Sequence, residues 1–124
     1  MNSKLLQLLV LISSMIVAQY AVSDVAPNKR HEIQFLLAYV RDSACVIDSE
    51  GEKLRGLYAS AHIQQQYKKY QRDINTAETF IEYTAAKSSV LGKYSMVHCD
   101  GRPLMRTIDW LQRALNIYRI KRRY

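Results

Sequence analysis

Apolar residues recur every three or four positions in four stretches of this chain, a spacing that is typical of helices with one buried face. The pair Pro27-Asn28 predicts the entry to the first helix, with Asn28 as a candidate N-cap, and this helix is expected to end near Asp42. The second occupies residues 57–73, where no helix breaker occurs. The pattern therefore predicts a largely helical protein.

The remaining two helices are bounded by local signals. A capping box predicts the start of the third, with Asn75 as the cap and Glu78 reaching back to it, and this helix is expected to end near residues 87–89. The fourth is predicted to begin at Thr107. Its apolar face is formed by Ile108, Leu111, Leu115 and Tyr118.

Short β-favouring stretches lie between these helices. Residues 45–47 and 52–54 flank the turn sequence Ser49-Glu50-Gly51, and residues 95–99 form a further candidate strand before the turn at residues 100–103. The order of elements predicts a small single α+β domain, in which a short two- to three-stranded antiparallel sheet is covered by three to four helices.

The first 23 residues have the layout of a secretory signal peptide. Lys4 precedes an apolar run from Leu5 to Ala18, and Ala21-Val22-Ser23 then places a small residue at each end of a triplet. We expect cleavage after Ser23, a mature domain of residues 24–124, and a periplasmic or secreted location without a membrane span. An uncleaved anchor, which needs about 20 apolar residues, and a buried helix are the alternatives.

Both cysteines, Cys45 and Cys99, lie in the predicted mature domain. Two cysteines in a small exported domain most often form a disulfide. The alternatives are a redox or a metal site, but the chain has no Cys-x-x-Cys pair and no metal-ligand spacing. The structural disulfide is therefore the favoured interpretation, and no metal or cofactor is predicted.

Positive charge is concentrated at the C-terminal side of the chain. The net charge is +7; residues 24–101 contain ten Lys and Arg against ten Asp and Glu, whereas residues 102–124 contain seven against one. Lys121, Arg122 and Arg123, the basic end, follow the apolar stripe of the last helix. Such clustering indicates an acidic counterpart, which could be lipid head groups, lipopolysaccharide phosphates or nucleic acid.

Sequence motifs for catalysis are weak. The chain has no nucleophile elbow, no phosphate-binding glycine loop and no dinucleotide fingerprint. Ser88 or Ser89, His62 and Glu78 could in principle form a nucleophilic triad. Local roles explain them better, because a serine pair at a helix end caps backbone groups and Glu78 belongs to the predicted capping box. No catalytic residue is assigned.

Several separated motifs resemble one family, the YfeK-like group of small exported bacterial proteins, which has no assigned function. They are Cys45-Val46-Ile47, Gly51, His62-Ile63, Thr76-Ala77-Glu78-x-Phe80-Ile81, Ser88-Ser89-x-x-Gly92-Lys93 and Trp110-Leu111. One departure is Glu50-Gly51, where the family usually has Asn-Gly. The resemblance spans residues 32–115; it implies export and a shared fold, and it implies no activity.

Three functional hypotheses follow. The favoured one is a non-enzymatic envelope protein that contacts an acidic envelope component or a protein partner through its basic end. A small periplasmic hydrolase centred on His62 and a purely structural envelope protein are the alternatives. A cleft that holds His62 beside Glu78 or a serine would favour the hydrolase, whereas a projecting basic helix would favour the binding protein.

Overall fold

Four α-helices and four short strands make up residues 27–85 and 92–123, the part of the chain that the computed structural model describes. The predicted leader, residues 1–23, lies outside this part. The elements in chain order are α1 Pro27–Asp42, β1 Val46–Ser49, β2 Glu52–Arg55, α2 Gly56–Lys69, α3 Ala77–Ala85, β3 Met96–His98, β4 Met105–Arg106 and α4 Thr107–Arg122.

The strands form one antiparallel sheet in the order β2-β1-β3-β4. This confirms the predicted α+β class, but the sheet has four strands instead of two to three. The additional strand, β4, consists of two residues only. A stretch this short cannot show the alternation of apolar and polar residues by which strands are predicted.

The helices cover one face of the sheet. Ile47 and Val97 point toward them and are buried, because alternate residues of a strand face opposite sides. Leu36 of α1, Phe80 of α3 and Leu111 of α4 complete the same core and are at most 1% exposed. All four helices contribute buried residues to this core on the inner side of the sheet. The outer face of the sheet carries more polar residues, such as Asp48, Lys53 and His98.

The hairpin between β1 and β2 turns at Glu50 and Gly51. Both residues have positive φ, 56° and 81°, which is the pattern of a type I′ turn. Asn-Gly is the usual choice at such a turn because both residues tolerate this backbone region, whereas a glutamate does so less readily. The turn predicted at residues 49–51 is thus present, and Gly51 is the residue best suited to it.

The second helix is shorter than predicted. It ends at Lys69, and Gln71–Asp73 form a separate 3-10 turn in place of a continuous helix to Asp73. The Tyr70 amide still donates to the Gln66 carbonyl, and the tighter turn then leads into Ile74, which is 1% exposed. Burial of Ile74 is a tertiary effect that the absence of a helix breaker could not reveal.

The start of α3 is capped one residue later than predicted. The Thr79 amide donates to the Thr76 hydroxyl at 3.1 Å, and the Thr76 amide donates to the Thr79 hydroxyl at 3.0 Å. The reciprocal pair is therefore Thr76 with Thr79, and the predicted pairing of Asn75 with Glu78 is wrong. A threonine can close the box as a glutamate does, which leaves Glu78 available for another partner.

Candidate functional site

Arg119, in the last turn of α4, binds two carboxylates from other helices. Its Nε and one terminal nitrogen donate to the two oxygens of Glu32 at 2.6 and 3.0 Å, and its other terminal nitrogen contacts Glu78 at 2.5 Å. Glu32 lies in α1 and Glu78 in α3, so this ion triad joins three helices. The fork geometry of the guanidinium makes such a double contact possible.

Burial and hydrogen bonding set the charge state of the triad. The Glu32 side chain is only 9% exposed, whereas that of Glu78 is 45% exposed. Hydrogen bonds from Arg119 lower the pKa of both carboxyls, although burial acts in the opposite direction on each. The two carboxylates in turn raise the pKa of Arg119. All three groups are therefore charged at neutral pH.

The ion triad divides the cations of the C-terminal region into two groups. Arg119 is bound to the body, and Arg106 is paired with Asp109 at 2.7 Å. The other cations of the region are exposed and form no ion pair with any carboxylate among the described residues; they are Arg102, Arg113, Lys121, Arg122 and Arg123. Arg122 also lies over the Tyr118 ring, 5.5 Å from its centre. Within the C-terminal region, the cations left open to an anionic partner are therefore those on or directly after α4 and in the loop before β4.

A row of four aromatic rings lies beside these cations, where α1 meets α4. Phe35 stacks on Tyr118 with ring centres 4.2 Å apart, Tyr39 packs against Trp110 at 5.0 Å, and Phe35 and Tyr39 are 6.0 Å apart. This row lines a cavity of about 440 Å³, which we call the aromatic groove. Its size falls within the range of about 300–1,000 Å³ that small-molecule sites occupy.

The predicted disulfide is present. In the register of β1 and β3, Val46 lies opposite His98, and Cys45 and Cys99 are the next pair beyond it. Their Cα atoms are 4.3 Å apart, and their sulfur atoms are bonded. The bridge therefore extends the pairing of the two central strands, and Cys99 also lines the aromatic groove.

The structure does not bring the candidate polar residues together into one site within the part of the chain that it describes. His62 is half-buried on α2, and no hydrogen bond or ion pair joins its side chain to any described residue. Glu78 is bound to Arg119 of α4. Ser88 and Ser89 lie outside the described residues. The role of Glu78 is thus electrostatic, in the ion triad, and differs from the capping role expected of it.

Two further observations bear on the kind of site present. Within residues 27–85 and 92–123, no group of three His, Cys, Asp or Glu side chains is arranged to hold a metal ion. In the same part of the chain, no helix is long and apolar enough to cross a membrane.

Comparison with known protein families gives one match. Residues 27–119 match the family of unknown function DUF5329. The chain belongs to this family. Membership in DUF5329 confirms the expectation of a family without assigned function. No curated protein and no solved structure matches the chain significantly.

The region matched to DUF5329 contains the whole ion triad and both cysteines, and it ends before Lys121. Spacing indicates that two members of the triad lie next to buried faces, although it does not indicate with which residues they pair. Glu32 lies four residues before Leu36, and Arg119 lies four residues after Leu115, so each is in line with the buried face of its helix. A charged residue on a buried face calls for a partner, which here is 87 positions away in sequence.

Proposed function

We propose that this DUF5329 protein is an exported, non-enzymatic module that attaches to an anionic lipid surface of the envelope through its basic end. The observation that carries the proposal is the division of cations described above. The carboxylates of the body neutralise Arg119, whereas Lys121, Arg122 and Arg123 are exposed and form no ion pair with the described residues. The charges of these three residues are therefore exposed to solvent at the C-terminal end of α4.

Anchoring of Arg119 supports a specific orientation. Arg119 is held by α1 and α3, and Lys121 follows it within two residues of the same helix. The basic end is therefore fixed relative to the body and does not behave as a free tail. Each cation near an anionic membrane contributes about 1 kcal/mol, so three contribute roughly 3 kcal/mol. The attachment should be weak and sensitive to salt.

Export is supported by three features of different kinds. The leader pattern of residues 1–23 is typical of a cleaved signal, the motifs resemble the YfeK-like exported proteins, and a disulfide between Cys45 and Cys99 is typical of oxidising compartments. The intact mass of the protein in a periplasmic extract should correspond to a chain that begins at Asp24. A full-length mass in the membrane fraction would contradict cleavage.

Cosedimentation with vesicles tests the lipid surface. The protein should bind vesicles of phosphatidylglycerol mixed with phosphatidylcholine at low salt, and it should not bind pure phosphatidylcholine. Replacing Lys121, Arg122 and Arg123 by glutamine should reduce binding to the anionic vesicles by about 100-fold, since three contributions of about 1 kcal/mol are lost. The thermal midpoint should stay within a few degrees.

A matched variant provides the control. Lys53, Lys68 and Arg72 are exposed cations away from α4, and replacing them by glutamine removes the same net charge. This control should bind the vesicles almost as well as the original protein. Equal losses in the two variants would mean that only net charge matters and would contradict the proposal. Tight binding to duplex DNA without vesicle binding would also contradict it.

A further inference from the structure

The aromatic groove has an apolar interior and an apolar mouth. Trp110 and Ala114 of α4 line it and are only 4% and 5% exposed, and Ala114 lies four residues from both Trp110 and Tyr118, on the same side of the helix. At the mouth, Leu104 and Ile117 are 61% and 48% exposed. Large aliphatic side chains this exposed, next to a cavity, are typical of a ligand-binding surface.

The charged residues that line the groove are all cations. They are Arg102 of the loop between β3 and β4, and Arg113 and Lys121 of α4. Arg113 and Lys121 flank Ile117 at a spacing of four residues, so the three side chains follow one another along the same side of α4. Within residues 27–85 and 92–123, no carboxylate lines the groove and none pairs with these cations.

We propose that the aromatic groove binds a fatty-acid-type anion: a single acyl chain lies against the aromatic row, and the carboxylate lies at Arg113 and Lys121. The proposal goes beyond membrane attachment, because it requires neither Arg122 nor Arg123 and no vesicle. Charge complementarity at the rim selects an anionic head group, and the apolar interior selects a hydrocarbon chain.

The lining also argues against a peptide as the occupant. Apart from the two tyrosine hydroxyls of Tyr39 and Tyr118, the side chains of the lining are aliphatic, aromatic, sulfur-containing or cationic. A buried peptide segment would need acceptors for its amide groups, and these side chains provide few of them. An acyl chain has no such requirement.

Trp110 provides a direct readout. It is the only tryptophan of the chain and lines the groove, so its fluorescence reports on the occupied site. Titration with dodecanoate below its micellar concentration should give a saturable change. Removing two methylenes from the chain should weaken binding by about tenfold. Dodecyl maltoside, which has the same chain and no charge, should bind about tenfold more weakly or worse, and dodecyltrimethylammonium should not compete.

Two exposed isoleucines of α4 allow a matched pair of variants. Ile117→Glu places a carboxylate at the mouth and should weaken dodecanoate binding by about 100-fold, since it removes apolar contact and repels the head group. Ile120→Glu makes the same chemical change at a residue that is 55% exposed and does not line the groove. It should bind dodecanoate like the original protein. Both variants should keep the far-UV circular dichroism of the parent.

A second pair of variants tests the head group. Arg113→Gln should weaken dodecanoate binding by about tenfold and leave the binding of dodecyl maltoside unchanged. Arg123→Gln should change neither. Saturable dodecanoate binding that is unchanged in Ile117→Glu would overturn the proposal. Equal affinity for dodecanoate, dodecyl maltoside and dodecyltrimethylammonium would also overturn it.

The outcomes separate this site from the proposed membrane surface. Loss of dodecanoate binding in Ile117→Glu with vesicle binding retained supports both. Vesicle binding without any response to dodecanoate overturns the groove site alone. A response to dodecanoate without vesicle binding overturns the membrane surface alone.

Discussion

Removing the guanidinium of Arg119 should destabilise the fold by about 2–3 kcal/mol. Arg119→Met keeps an unbranched side chain of similar length but leaves Glu32, 9% exposed, without its hydrogen-bond donors. Stranding one partner of a fully buried ion pair costs about 3–5 kcal/mol. The expected cost is lower because the Arg119 side chain is 29% exposed and water can replace part of its contacts. The thermal midpoint should fall by about 10–20 °C, since 1 kcal/mol corresponds to roughly 4–8 °C in a domain of this size.

The pH dependence of this effect has a definite sign. Arg119 lowers the pKa of Glu32 and of Glu78 below the ordinary 4.5. Carboxyls with a lowered pKa in the folded state stabilise it above their unfolded pKa, and this stabilisation is lost as the pH falls through the folded value. The Arg119→Met variant lacks this stabilisation at every pH, because it has no guanidinium to lower the pKa of either carboxyl. The difference in stability between the original protein and Arg119→Met should therefore be fully developed at pH 7 and should shrink below about pH 4.5.

Urea unfolding followed by circular dichroism at pH 7, 5 and 3.5 measures this difference. Arg113→Met is the control, because Arg113 lies on the same helix, is exposed and pairs with no described carboxylate; it should cost less than about 0.5 kcal/mol. Replacing Glu32 by glutamine together with Arg119→Met should recover part of the loss, because no buried charge then remains at that position. A cost for Arg119→Met that is the same at pH 7 and pH 3.5 would refute the reasoning.

Three further predictions concern stability and are all measurable by urea unfolding. Cys45→Ser or Cys99→Ser should cost about 2–4 kcal/mol, since the bridge closes a long loop with a sequence separation of 54; a free thiol in the denatured, unreduced protein would show that the bridge does not form. Ser95→Ala should cost about 1–3 kcal/mol, because the buried Thr107 hydroxyl loses its side-chain partner at 2.9 Å; a change below 0.5 kcal/mol would mean that water replaces it. Gly51→Ala should cost about 1–2 kcal/mol, because its φ of 81° is unfavourable for a residue with a Cβ; an unchanged unfolding midpoint would mean that the turn adopts another type.

Local patterns predicted the helices, the hairpin and the disulfide because each depends on near neighbours or on composition. The spacing of apolar residues such as Leu36 and Val40 was enough to predict α1, and the presence of two cysteines was enough to predict the disulfide. The two-residue strand β4 was missed because it has no pattern of its own. The end of α2 was wrong because burial of Ile74 decides it.

The site was less predictable than the fold. The sequence indicated the cations at residues 121–123, but it did not indicate that Arg119 is neutralised by two other helices. Nor could it indicate the aromatic groove, because Phe35 and Tyr118 come together only when α1 packs on α4. Contacts between residues so far apart depend on the tertiary arrangement, about which periodicity in a single helix carries no information.

The position of Arg119 in the chain has a consequence for the timing of folding during synthesis. Its partners lie in the first and third helices, and the central strand β3, with Cys99 just beyond it, also comes late in the chain. Residues synthesised earlier can form helices and the β1–β2 hairpin, but they can close neither the sheet nor the ion triad by themselves. Because these contacts join distant parts of the chain, the nascent protein remains incompletely folded until α4 has been made. Late closure of this kind is compatible with the export proposed above, because an exported chain crosses the membrane before it folds.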